Sequence, residues 1–110
     1  MKTLTAPDLD KMQQRGDDFL LVNTLDEDKF ADTKIEGAVN IPLSSDDFAQ
    51  QVEKQAGGKD QPVVVYCASK ECHSSDKAAQ KLDEAGFGQV YDFEEGAKGW
   101  KETGHRMVEM

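Results

Sequence analysis

Only two cysteines, three prolines and one tryptophan occur in the 110 residues, and no apolar run is long. Two thiols do not make a disulfide framework, so the chain must fold on its hydrophobic core, and a reduced, cytoplasmic setting is expected. No stretch approaches the ~20 apolar residues of a membrane helix, and Met1-Lys2-Thr3-Leu4-Thr5-Ala6-Pro7 lacks the apolar segment of a secretory signal. Basic residues are scarce against acids, 13 to 22, for a formal net charge of -9. A field of that sign repels phosphate backbones and anionic lipid, which argues against nucleic-acid or membrane partners. Several chemistries lack their residues. A zinc site would have to gather Cys67, Cys72, His73 and a distant His105, without the two paired knuckles usual for structural zinc. A calcium loop opening at Asp26 would need glycine and glutamate where Ala31 and Gly37 stand. A cysteine phosphatase needs an arginine clamp near its loop, and none lies between Cys67 and Gly104.

Hydrophobic residues are 37% of the chain, enough for one core, and the length suits one domain over residues 1–110. Helical and extended segments alternate. Leu4 to Pro7 opens a helix with Leu9 and Met12 inward and Gly16 as its stop. Phe19–Asn23 is a continuous apolar run, as in a strand covered on both faces. A helical turn is expected near Asp26–Phe30, then a short strand over Gly37–Leu43 ended by proline. Ser44-Ser45-Asp46-Asp47 reads as a cap and acidic first turn for a helix with Phe48, Ala49 and Val52 inward, ended by Gly57-Gly58. Pro62–Tyr66 is the clearest strand. An amphipathic helix follows from Ser74 or Ser75 to Ala85, with Ala78, Ala79 and Leu82 inward. Val90–Phe93 is a further strand, and Gly96–Glu102 a short helix carrying Trp100. This alternation predicts an α/β fold: a mainly parallel central sheet flanked by helices on both faces.

Cys67 sits where that fold does chemistry, at the carboxyl end of a buried strand. Cys67-Ala68-Ser69-Lys70-Glu71-Cys72-His73 runs from the strand end to a helix start. The free N–H groups of such a loop and first helical turn can converge on an anion. They can equally stabilise a thiolate, taking a cysteine from an ordinary ~8.5 towards neutrality. Cys67 is thus a candidate nucleophile as well as a candidate small core residue.

Several segments together resemble the rhodanese-like domain family: Ile35-Glu36-Gly37-Ala38-Val39-Asn40-Ile41-Pro42-Leu43, Val63–Cys67, the Ala78-Ala79, Leu82 and Gly86-Phe87 helix pattern, and Gly96–Lys101 followed by Gly104. The resemblance implies a sulfurtransferase or sulfur carrier that needs no metal and no organic cofactor. Cys67 would take sulfur from thiosulfate or a persulfide, hold it as a persulfide, and pass it to a thiol or other nucleophile. Residues 68–73 (Ala68, Ser69, Lys70, Glu71, Cys72, His73) would form the substrate-binding loop, and the partner would be a small sulfur donor or a persulfide-carrying protein. The chain departs from the family pattern at Lys70 and Cys72 in a loop about two residues longer, at Asn23-Thr24-Leu25 in place of an Asp-x-Arg, and at Glu95 and Arg106. The C-x4-C spacing adds a dithiol redox alternative in which Cys72 resolves the persulfide. A non-catalytic, protein-binding rhodanese-like module is the other alternative. Lys70 beside Glu71 reads as a solvated pair, and His73 as a proton shuttle or a helix cap.

Overall fold

The computed structural model describes residues 2–16, 18–35, 37–68, 73–102 and 104. Ten elements alternate along it: β1 (Lys2–Thr3), α1 (Ala6–Gln14), β2 (Leu20–Asn23), α2 (Glu27–Thr33), β3 (Val39–Asn40), α3 (Phe48–Ala56), β4 (Val63–Tyr66), α4 (Ser74–Glu84), β5 (Val90–Phe93) and α5 (Gly96–Glu102). All strands are parallel, in the order β1-β5-β4-β2-β3. The expected α/β class is therefore the observed one.

Strand parity sorts the core into two layers. Val63 and Val65 of β4 face α3 and α4, packing with Phe48, Val52, Ala78, Ala79 and Leu82. Val64 and Tyr66 face the other way, onto Leu9, Ile35, Phe93, Ala97 and Trp100. Both faces are covered, which is why β4 reads as an unbroken apolar run rather than an alternating one.

Local chemistry sets the helix ends. Thr5 caps α1 in a capping box, its hydroxyl accepting from the Asp8 N–H while the Asp8 carboxylate accepts from the Thr5 N–H. That pair holds the Asp8 carboxyl below its ordinary value. Gly57 ends α3 at φ 81°, in the left-handed region open to glycine.

Two local expectations need correction, and one element was not expected. The extended segment Gly37–Leu43 contributes only Val39–Asn40 to the sheet, because Ala38 N–H turns back to the Ile35 carbonyl. Ser44 and Ser45 do not cap α3. Ser44 Oγ donates to Asp26 Oδ1 at 3.2 Å, and the helix starts at Phe48 behind Asp47, whose carboxylate accepts from the Gln51 amide instead. Finally, Lys2–Thr3 forms an edge strand on β5 that no apolar pattern announces.

Candidate active site

Chain direction reverses between two neighbouring strands. β2 leads through α2 to β3 at one edge, while β4 leads through α4 to β5 on the opposite side. Such a switch opens a crevice beyond the carboxyl ends of the two strands. Cys67 is the first residue beyond β4, at this switch point.

The strand end is pinned on several sides. Tyr66 carbonyl accepts from both the N–H and the hydroxyl of Thr24, at 3.1 and 3.2 Å. Cys67 carbonyl accepts from Ala97 N–H at 2.9 Å, and Ala68 carbonyl from Lys98 N–H at 2.8 Å. The first amides of α5, which have no partner within their own helix, therefore hold the main chain on either side of the sulfur.

Below this end lies a buried polar knot. Tyr66 hydroxyl donates to the Thr33 carbonyl at 2.9 Å and accepts from Ile35 N–H at 3.0 Å and from the Asn23 amide at 3.2 Å. Asn23 also donates to Thr33 Oγ1 and accepts from Leu25 N–H, both at 2.9 Å. Asn23 thus holds the turn after β2 by neutral hydrogen bonds. Burial pushes the Tyr66 phenol up to about 12, so it stays protonated and keeps donating.

Cys67 is fully buried. Its Sγ–H points to Ser75 Oγ, 3.7 Å away in the first turn of α4. Ser75 is itself only 1% exposed. Beside it lies Asp92 of β5, on the same sheet face as Val90 and Val65, also 1% exposed. Burial pushes the Asp92 carboxyl up to about 7; the neighbouring Asp76 and Glu94 carboxylates add to the rise and the Ser75 hydroxyl opposes it. Oxygens of Asp76, Asp92 and Glu94 lie within 4.8 Å of one another, and a proton on Asp92 relieves that crowding. Asp76 is lowered, first by its hydrogen bond with Asp92 and then by His73.

The sequence-derived site residues divide as follows. Cys67 and Ala68 stand at the strand end. His73 occupies the N-cap position of α4, but its ring makes no cap bond. It is largely exposed and faces Asp76, Nδ1 to Oδ2 at 3.4 Å. Ser69, Lys70, Glu71 and Cys72 lie outside the described residues, as does His105, so the expected amide nest and second thiol fall there too. Ser75 and Asp92 escaped sequence reasoning. A signal existed for Asp92: within Val90-Tyr91-Asp92-Phe93 it falls on the inward parity of a buried strand, where a carboxylate is out of place. Two surface depressions of about 530 and 440 Å³ do not include Cys67. The larger is lined by Pro62 and Gln89, which precede β4 and β5, and so lies at the opposite end of the sheet.

Known proteins share this fold. The family described as rhodanese-like domain matches residues 5–103. The chain belongs to the rhodanese-like domain family. It is 31% identical to the thiosulfate sulfurtransferase GlpE of Coxiella burnetii over 86 residues, 76% of this chain and 73% of GlpE. It is 34% identical to the uncharacterised protein YibN of Escherichia coli K12 over 85 residues, 76% of this chain and 57% of YibN. The chain thus spans little more than half the length of that relative. Among solved structures, the rhodanese-like domain of the Anabaena protein Alr3790 superposes with a TM-score of 0.83 at 23% identity, covering all of this chain and 80% of that one. In this rhodanese-like domain, no helix among the described residues is long and apolar enough to cross a membrane.

Proposed function

We propose that the protein is a sulfurtransferase or sulfur carrier working through a persulfide on Cys67. The observation that carries the reading is the position of Cys67: a thiol at the carboxyl end of the central strand β4, at the switch point, touching the first turn of α4. Membership of the rhodanese-like family and the likeness to a thiosulfate sulfurtransferase support it.

The chemistry balances without an outside redox partner. Cys67 thiolate attacks the sulfane sulfur of thiosulfate, the donor S–S bond breaks, and sulfite leaves with its electron pair. A persulfide donor reacts alike and leaves as a thiolate. The acceptor thiolate then attacks the outer sulfur of the Cys67 persulfide and frees Cys67 as thiolate. The amides of residues 68–73 and the amino end of α4 would hold the anionic sulfur, with Ala68, Ser69, Lys70, Glu71, Cys72 and His73 as the binding loop. The donor would be a small sulfane compound or a persulfide-carrying protein, met in a cytoplasmic setting.

Incubation with thiosulfate, glutathione persulfide or a cysteine-desulfurase system, read by intact mass, tests the proposal. One added sulfur is expected on the wild type and none on Cys67→Ser. Identical behaviour of the two proteins with every donor overturns it. Complete burial of Cys67 favours a second reading, a non-catalytic binding module, which that same outcome would support. For the dithiol alternative, Cys72 would attack the inner sulfur of the persulfide, releasing hydrosulfide and leaving a Cys67–Cys72 disulfide. A longer-lived persulfide in Cys72→Ser supports this branch; an unchanged lifetime removes it.

The charge of -9 gives a further expectation. Loading from dianionic thiosulfate should accelerate several-fold when ionic strength rises from roughly 0.01 to 0.1 M, as the Debye length contracts from about 30 to 10 Å. Loading from a neutral trisulfide should not. Single-turnover rates at the two salt concentrations provide the check.

A further inference from the structure

Two buried side chains, Ser75 and Asp92, lie behind the sulfur of Cys67. Cys67 Sγ–H points to Ser75 Oγ at 3.7 Å, which leaves the Ser75 hydroxyl proton free for the Asp92 carboxyl beside it. Asp92 Oδ1 is buried and has no hydrogen-bond partner among the described residues, although an acceptor-only carboxylate normally finds donors when buried. Beyond Asp92 the line continues to Asp76 in the first turn of α4 and from there to the exposed His73 ring.

We propose that Cys67, Ser75 and Asp92 form a proton relay, in which the Asp92 carboxylate takes the Cys67 proton through the Ser75 hydroxyl and passes it by way of Asp76 to solvent. The relay rests on Cys67 being the sulfur-accepting nucleophile and supplies that reading with a base. In the transfer the Cys67 S–H bond breaks as a new Ser75 O–H forms, and the old Ser75 O–H breaks as an Asp92 O–H forms. In this transfer one negative charge moves from carboxylate to sulfur; release of the proton by way of Asp76 then restores the charge on Asp92. When the persulfide is discharged and Cys67 leaves as thiolate, the proton returns by the same route.

The surroundings suit the task. Cys67 and Ser75 are buried together, so a carboxyl one hydroxyl away is a base within reach of the thiol proton. Titratable groups around Asp92 among the described residues are Cys67 at the end of β4, Asp76 on α4 and Glu94 beyond β5, with His73 against Asp76. β1 brings Thr3, which does not titrate, into register with it. Asp92 stands at about 7, within roughly 1.5 units of an ordinary thiol, so a proton can pass between them in either direction. A residue acting through Ser75 in this way positions and stores the proton without touching the donor.

The test compares wild type, Asp92→Asn, Ser75→Ala and Ser75→Thr. Iodoacetamide labelling of Cys67, resolved from Cys72 by peptide mass, is followed from acid to alkaline pH. Two inflections are expected for wild type, because sulfur and carboxyl compete for one proton, and a single one for Asp92→Asn. In single-turnover sulfur loading at neutral pH, Ser75→Ala should be slower on the order of 100-fold, the low end for a positioned base. Ser75→Thr, which keeps the hydroxyl, should stay within a few-fold of wild type. Superimposable wild-type and Asp92→Asn profiles overturn the relay, as does a Ser75→Ala loading rate equal to that of Ser75→Thr. Should Asp92→Asn not fold, the serine pair decides. A wild type that takes no sulfur but labels with two inflections would sink the sulfur-transfer reading and leave the proton linkage standing.

Discussion

Truncating Trp100 to alanine should destabilise the protein by about 3–5 kcal/mol, a large share of the roughly 5–15 kcal/mol available to a domain of this kind. Trp100 is 2% exposed and meets Phe93 of β5 edge to face, ring centroids 6.0 Å apart and 85° between planes. Part of the cost is lost apolar burial, and about 0.5–1.5 kcal/mol is the aromatic pair itself. α5 has only seven residues, far too few to persist alone, so it stays helical because Ala97 and Trp100 dock it on the sheet. Its amino end in turn holds the carbonyls of Cys67 and Ala68. Undocking α5 therefore reaches the sulfur as well as the core. Denaturant unfolding should show the lost stability, and iodoacetamide should label Cys67 at least 10-fold faster in Trp100→Ala than in wild type without denaturant, through local opening. A loss below about 1 kcal/mol, or unchanged labelling, would break the link between the tryptophan and the strand end.

What the sequence allowed to be read was set by which interactions are local. β4 was legible because Val63–Tyr66 is apolar on both parities, and α4 because Ala78, Ala79 and Leu82 share a helical face. Cys67 followed from those two assignments alone, since the residue between a central strand and the next helix has one place to be. β1 was not legible: Lys2 and Thr3 are exposed, and what makes them a strand is the free edge of β5, ninety residues away in sequence. Asn23 could be seen to interrupt the expected Asp-x-Arg pattern. That its amide would join Tyr66 and Thr33 depends on how α2 folds back over β4. Ser75 and Asp92 are the same kind of case. Ser75 looks ordinary as a helix opener and Asp92 shows only as an acid on an inward parity; the register of β5 against β4 and the seating of α4 bring them behind the sulfur.

Replacing Asp92 by asparagine should make the protein more stable at alkaline pH and almost unchanged near pH 4. An unfolded Asp92 titrates near its ordinary 3.8, and in the folded protein burial among acids raises it to about 7. Between those values the folded chain binds the extra proton, so stability falls as pH climbs through the window. Asp76 has the opposite sign: its carboxyl is held below 3.8, so its contribution is lost as pH drops through that lower range. The difference of about three units, at ~1.4 kcal/mol each and discounted because Asp76 shares the interaction, comes to about 3 kcal/mol above neutrality. Asparagine keeps the shape, accepts from Ser75 and donates to Asp76, but carries no charge to bury. Thermal unfolding should place Asp92→Asn about 10 °C above wild type at pH 8, with the two curves meeting in acid. Parallel pH–stability curves would mean that Asp92 carries an ordinary carboxyl after all. An ionisable group that weakens the fold at neutral pH, where its amide would serve the packing better, and that stands one hydroxyl from the nucleophile, is where a proton-handling role is expected to outweigh stability.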